Sequence, residues 1–341
     1  MKTDSYFDIR NLTKLKGELL HCPITGCKSI ESNQGYCPVH CINIHKKTFV
    51  YFNGEDPISK KDSALRNILF EHQYFRTHIL GNTAKAESHR ICHETSEDAL
   101  TWNVFSYLAR HGLLRKLLSQ ITKSEVESEP ELYLWGLKIS LEDSSKPKQF
   151  HALKNARDFF ENGISRFGTE PDIILYIPGE LLVLIEAKFT SGNTLAEESI
   201  KNDHDNEKPK SRKGILKRYS RTLLPNNSLL ESTSNEPFYG QLYRNLVFAI
   251  HMANELGGVK WHLVNLVSKG QFDKHRKTTL QFQDPTQFIQ GLLPEPSKDR
   301  FHFYSWEQLY SDHVANETGM NDLAEYMYYK SANVTKAFAI D

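Results

Sequence analysis

Asp172, Glu186 and Lys188 have the residue types and the spacing of a site that could hydrolyse phosphodiester bonds. Asp172 opens the apolar run PDIILYI (171–177), and Glu186 and Lys188 close the run LLVLIEAKF (181–189); Pro178, Gly179 and Glu180 lie between them. Side chains alternate along a strand, so Glu186 and Lys188 share one face and Ala187 points the other way. If the loop has three residues, Ile177 pairs with Leu181 and Asp172 falls opposite Glu186, with Cβ atoms about 4.5–5.5 Å apart. A two-residue loop would shift the register by one and move Asp172 to the opposite face. Two carboxylates this close do not both stay ionised without a cation. A ligand set made only of oxygens suits Mg²⁺ or Mn²⁺. A lysine two residues on can orient a bound water or stabilise charge on a phosphate. The competing reading is a salt bridge of Lys188 with Asp172 or Glu186 at a strand end.

Four of the five cysteines crowd between positions 22 and 41. Cys22, Cys27, Cys37 and His40 follow the pattern Cys-x4-Cys-x9-Cys-x2-His, two close pairs of ligands suited to tetrahedral Zn²⁺. Cys41, His21 and His45 are alternative fourth ligands. Gly26 and Gly35 supply the backbone freedom that tight turns beside ligands require. Such a closed set predicts a structural metal. Tyr36, Lys28, Lys46 and Lys47 lie near enough to present a DNA-contacting surface, and equally the metal could simply replace a core too small to form alone. Cys92 stands apart and reads as an inert buried thiol.

The elements that must position these residues are legible from pattern. Ser96 before Glu97 and Asp98 predicts a capped helix start with an acidic first turn, followed by an apolar stripe at Leu100, Val104 and Leu108. Residues 131–139 predict a strand, 151–168 a helix that becomes a loop, and 171–189 the hairpin. Both faces of the hairpin are apolar, which places it inside a sheet. Residues 190–235 are polar and predict loops with short helices. A helix is expected over 238–256, ended by Gly257-Gly258, then a strand over 259–267, a helix near 284–293, a strand at 301–304 and a helix from Ser305. This order predicts a mixed α/β sheet with flanking helices. Composition divides the chain into a zinc-binding module (1–60), a core (61–270) and a C-terminal α/β extension (271–341).

The chain has 341 residues, 39% apolar and 25% charged, which excludes a largely disordered chain and a small disulfide scaffold. Lys plus Arg equals Asp plus Glu at 42 each, which excludes a globally basic nucleic-acid coat but not a local patch. No apolar run reaches the roughly 18 residues a membrane helix needs, and the N-terminus lacks a secretory core, so a cytoplasmic protein is expected.

The segment TEPDIILYIPGELLVLIEAKF resembles the core motif of the PD-(D/E)xK nuclease superfamily, with Pro171-Asp172 as its Pro-Asp and Glu186-Ala187-Lys188 as its Glu-x-Lys. The matched core covers about residues 95–270. The resemblance implies a restriction-endonuclease-like fold, a four-stranded mixed sheet flanked by helices. It implies an Mg²⁺-dependent endonuclease, usually acting on DNA, with Asp172 and Glu186 as metal ligands and Lys188 as the catalytic lysine. It also implies an acid on a preceding helix, for which Glu97 is chosen over Glu94 and Asp98, and a polar residue on a following helix, for which Gln241 is chosen. The first-turn acids could equally just offset the helix dipole. Ser191 and Asn193 are candidate phosphate contacts. The N-terminal cluster resembles zinc knuckles of phage and HNH-type DNA-binding proteins.

Residues 208–221 carry seven Lys or Arg and no acid; Lys210, Arg212, Lys213, Lys217 and Arg218 are the expected nucleic-acid contacts, against the alternative of a solvated loop. Trp102 and Trp135 read as core. The expected activity is that of a prokaryotic restriction or defence nuclease, with DNA as partner. RNA is the alternative polymer, and a catalytically silent nucleic-acid-binding or assembly protein the alternative role. Many members of the superfamily cut both strands as dimers, so a homodimer is a candidate assembly state.

Overall fold

The computed structural model describes residues 21–27, 35–45, 48–81, 90–141, 146–164, 168–196, 207–219, 238–270, 285–334 and 337–340. Lys28, Lys46, Lys47 and Arg221 lie outside these. In chain order the strands are β1 (Tyr36–Cys37), β2 (Ile42–His45), β3 (Thr48–Tyr51), β4 (Glu131–Leu134), β5 (Leu137–Lys138), β6 (Ile173–Ile177), β7 (Leu181–Ala187), β8 (Lys260–Val267) and β9 (Phe301–Ser305). The principal helices are α1 (Pro57–Leu65), α2 (Glu97–Arg110), α3 (Leu114–Thr122), α4 (His151–Phe160), α5 (Arg212–Tyr219), α6 (Gly240–Glu255), α7 (Pro285–Gly291), α8 (Trp306–His313) and α9 (Asn321–Asn333). Among the described residues no helix is long and apolar enough to cross a membrane.

The chain forms two compact units. One holds Met1–His111, Ser140–Lys146 and Trp306–Asp341; the other holds Gly112–Ile139 and Pro147–Ser305. Their edges do not coincide with the compositional boundaries at 60 and 270.

In the first unit β1, β2 and β3 form an antiparallel sheet. Helix α2 starts where its sequence dictates: Ser96 is the N-cap, its side chain accepting from the Ala99 N–H at 3.1 Å. Trp102 is fully buried, stacked on Tyr74 and edge-on to Phe75, as expected of core. Glu94 is also fully buried, ion-paired to Lys330 of α9 at 2.9 Å. That pairing accounts for Glu94 without any role in chemistry.

The second unit is built on a six-stranded mixed sheet in the order β5-β4-β6-β7-β8-β9. The pairs from β5 to β7 are antiparallel, and β7-β8 and β8-β9 are parallel. The expected four strands are its centre, and β5 and β9 extend the edges. The stretch 131–139 is not one strand. Trp135 and Gly136 both take positive φ, 52° and 77°, and turn the chain into a β4-β5 hairpin. A Cβ at Gly136 would stand 2.6 Å from the end of the Leu153 side chain, which would have to shift, and the positive φ independently favours glycine there. Trp135 itself is buried.

Strands β6, β7 and β8 are buried along nearly their whole length because helices cover them. Leu242, Leu246, Phe248 and Ile250 of α6 pack with Ile174, Leu182, Leu184 and Leu263 of the sheet, together with Phe160 of α4. Each such side chain contributes about 1.5–3 kcal/mol on burial. Helix α6 ends at Gly257 and Gly258, both with positive φ, the second donating its N–H to Ala253 O at 2.9 Å.

Candidate active site and metal centre

The hairpin register decides where the carboxylates fall. Pro178-Gly179-Glu180 is a three-residue loop; Gly179 has φ 74° and the Glu180 N–H bonds Ile177 O at 3.0 Å. Ile177 therefore pairs with Leu181, and the ladder runs to Ile173 opposite Ile185. One step further, Asp172 stands opposite Glu186. The Asp172 Oδ2 accepts the Ala187 N–H at 2.9 Å, which ties the aspartate across the mouth of the hairpin.

Glu186 is fully buried and Lys188 is 7% exposed. The Lys188 ammonium donates to Glu186 Oε1 and, at 3.1 Å, to Ala187 O. Asn245 of α6 donates from Nδ2 to Glu186 Oε2 at 2.7 Å. Both oxygens of the buried carboxylate are thus engaged. The ammonium lies where a carboxylate and a main-chain oxygen converge, so the donors present there suit a hard cation.

The structure places Gln241 in the first turn of α6, half-buried; the contact with Glu186 is made one turn on, by Asn245. Glu97 lies in the first turn of α2, in the first unit, while Asp172, Glu186 and Lys188 lie in the second. Among the described residues of the second unit, the buried acid at a helix end is Glu161, which follows α4. It accepts from Thr169 N (2.6 Å), from the Thr169 hydroxyl and from the Tyr219 hydroxyl (2.5 Å). Arg157 Nε donates to Thr169 O at 2.7 Å. These bonds pin the segment that leads into Asp172. Burial, followed by the charge of Glu161, holds the Tyr219 pKa far above the ordinary tyrosine value.

Asn193 is buried and donates to Asn265 Oδ1 at 2.9 Å; Asn265 sits on β8 in register with Glu186. Ser191 is exposed. Within the basic run, Lys210, Lys213 and Lys217 are exposed, the latter two one turn apart on α5. Arg212 and Arg218 are half-buried: the Arg212 guanidinium lies 5.4 Å from the Phe238 ring centroid, and Arg218 donates to Phe160 O and Asn162 O.

In the first unit the ligand atoms of Cys22, Cys27, Cys37 and His40 all lie within 4.8 Å of one another. Cys27 and Cys37 Sγ are 3.7 Å apart, and His40 Nδ1 is 3.5 Å from both Cys22 Sγ and Cys37 Sγ. A tetrahedral zinc with bonds of about 2.3 Å to sulfur and 2.0–2.1 Å to nitrogen requires edges of about 3.8 and 3.6 Å. The donor set and its dimensions fit zinc. Cys41 is turned away, its Sγ 3.7 Å from Pro38 O, and His21 and His45 are exposed. Burial opposes ionisation of Cys37, yet the N–H groups of His40 and Val39 and the neighbouring thiols bring its pKa below the ordinary thiol value. Gly26 and Gly35 both have positive φ. Arg66, which follows α1, donates to His40 O at 2.7 Å and Cys41 O at 2.8 Å, bracing the ligand loop from behind. Cys92 is buried and its pKa is pushed up to about 11, an unreactive thiol.

Sequence reasoning assigned no role to Glu161, Lys208, Arg244 or Asn245. Packing between segments distant in sequence is what brings these four toward the site.

Compared with known proteins, residues 43–330 match a family model described as Restriction Endonuclease associating with ARP. No curated protein and no solved structure matches the chain.

Proposed function

The chain belongs to the family of restriction endonucleases associating with ARP, and from that premise we propose that it is a divalent-metal-dependent endonuclease that hydrolyses phosphodiester bonds in DNA. The observation that carries this reading is the buried Glu186-Lys188 pair with Asp172 across the hairpin mouth. A buried ion pair is a poor source of stability, because desolvation offsets the attraction. Its retention at the end of an otherwise apolar hairpin fits a chemical role.

In this reading Asp172 and Glu186 hold Mg²⁺ or Mn²⁺. The ion, when bound, activates water and offsets phosphate charge. Lys188 stabilises the charge that develops on the attacked phosphate. Asn245 holds the Glu186 carboxylate in one orientation, and the Glu161-Thr169 bonds fix the approach to Asp172. Lys210, Lys213 and Lys217 meet the DNA backbone, while Arg212 and Arg218 serve chiefly to seat α5. Zn²⁺ at Cys22, Cys27, Cys37 and His40 has a structural role. Restriction or defence is the setting that the family supports.

The test is cleavage of plasmid and linear duplex DNA, with RNA in parallel, in Mg²⁺ or EDTA, by the wild type and Asp172→Asn. DNA cutting that requires the metal and is lost in the variant is the expected result. Metal-independent cutting, or full activity of the variant, would overturn the proposal.

A further inference from the structure

Arg244 of α6 stands one residue before Asn245, which touches Glu186. Its guanidinium has five donors, yet among the described residues Nε is buried with no hydrogen-bond partner, and Nη1 makes only a long bond to Pro209 O at 3.4 Å. Lys208 enters the same neighbourhood from the segment ahead of α5, its ammonium donating to Gly168 O at 3.1 Å. Glycine at 168 leaves room for the side chains of Glu161 and Arg157: a Cβ there would stand 2.7 Å from a Glu161 oxygen and 3.3 Å from Arg157. The nearby acids are already engaged. Glu161 is taken up by Thr169 and Tyr219, and Glu186 by Lys188 and Asn245. Among the described residues neither Arg244 nor Lys208 forms an ion pair. A guanidinium and an ammonium gathered in a sheltered place without a bonded counter-ion are costly unless an anion arrives.

We propose that Arg244 and Lys208 form an oxyanion site beside Glu186 that receives a backbone phosphate of the nucleic acid. The identity of the ligand rests on the nuclease reading; the site itself does not. Arg244 offers a planar fork matched to phosphate oxygens and Lys208 a point charge. The electrostatics agree. Burial depresses both pKa values, with Glu161 and Glu186 opposing the effect; Lys208 falls to about 8, lowered further by Arg244 and Arg157. An arriving phosphate would relieve that crowding of like charge.

The experiment uses the full chain with zinc retained, as wild type, Arg244→Gln and Lys208→Gln. Binding of inorganic phosphate is measured by calorimetry and by the shift in melting temperature, with chloride at matched ionic strength as the control. Affinity for a DNA duplex is measured without added divalent metal, and single-turnover cleavage with Mg²⁺. The wild type is expected to bind phosphate in preference to chloride. Both variants should lose at least tenfold in phosphate and DNA affinity, and Arg244→Gln at least 100-fold in cleavage. A purely structural role for Arg244 would lower the melting temperature without changing its response to phosphate, and would overturn the proposal. If Arg244→Gln does not fold, Lys208→Gln decides by the same phosphate response. Phosphate binding lost in the variants of a wild type that cuts nothing would keep the site and end the nuclease reading. Cutting and phosphate binding unchanged in both variants would end the site and leave the nuclease reading intact.

Discussion

Replacing Lys188 by Met leaves the Glu186 carboxylate, with no solvent exposure, held among the described residues by Asn245 alone. Breaking a buried pair from one side costs about 3–5 kcal/mol, because an uncompensated charge stays behind. Glu186→Gln should cost a similar amount by stranding the ammonium. The double variant removes both charges, and the amide oxygen introduced in place of the carboxylate can still accept from Asn245. Its expected stability lies within about 1 kcal/mol of wild type or above it, as for other buried pairs replaced by apolar groups. The coupling energy of the cycle is then at least about 5 kcal/mol. Native-state hydrogen exchange of the β7 and β8 amides reads the opening free energy of this sheet without requiring the two units to unfold together. All three variants should be inactive, the double variant included. If the double variant is destabilised by the sum of the two singles, the pair is a structural asset and the reasoning from its cost to its function fails.

Three further outcomes follow from the geometry. Purified protein should hold about one zinc per chain, and Cys37→Ser or a strong chelator should melt β1-β3 while leaving the second sheet protected; a zinc-free protein with an ordered first unit contradicts the metal centre. His262 and His302, on β8 and β9, share a hydrogen bond at 2.7 Å. Burial, then the charges of His302, Lys260 and Arg300, holds His262 at about 3; burial, Lys123 and Lys260 hold His302 at about 4, against Asp299. Both folded values lie below the ordinary 6.5. The pair's contribution to stability is therefore complete above about pH 6.5 and is lost as pH falls toward 4 and below, at up to about 1.4 kcal/mol per pH unit for each ring. Urea melts from pH 7.5 to 4 should show this slope, flattened in His262→Gln; a flat wild-type profile would refute it. Reversing Lys210, Lys213 and Lys217 to Glu should weaken DNA binding and lower the salt slope by about 0.9 for each phosphate contact removed. An unchanged slope returns them to ordinary surface.

How much was legible in the sequence depended on how local the cause was. The Asp172-Glu186 pairing was readable because a strand has period two and the loop length fixes the register, so Pro178-Gly179-Glu180 carried enough information. Ser96 as a cap and the Cys/His spacing are likewise short-range. The β4-β5 turn was missed because Trp135 adopts a left-handed conformation that its residue type does not favour, although Gly136 inside a strand pattern was a warning. The partners around Glu186 were hidden for a different reason. Asn245 is 59 residues from Glu186, and Tyr219 is 58 from Glu161. Only the seating of α5 and α6 on the sheet brings them together. Glu161 likewise has no local pattern and is marked only by its burial and its bonds.

The most direct measurement is single-turnover cleavage of duplex DNA in Mg²⁺ by wild type and Lys188→Ala, with DNA affinity and zinc content measured on the same samples. We expect the variant to keep its zinc and its DNA affinity and to lose at least about 1,000-fold in rate, roughly 4 kcal/mol of transition-state stabilisation. Cutting by Lys188→Ala at the wild-type rate would contradict the assignment of this site to the chemistry.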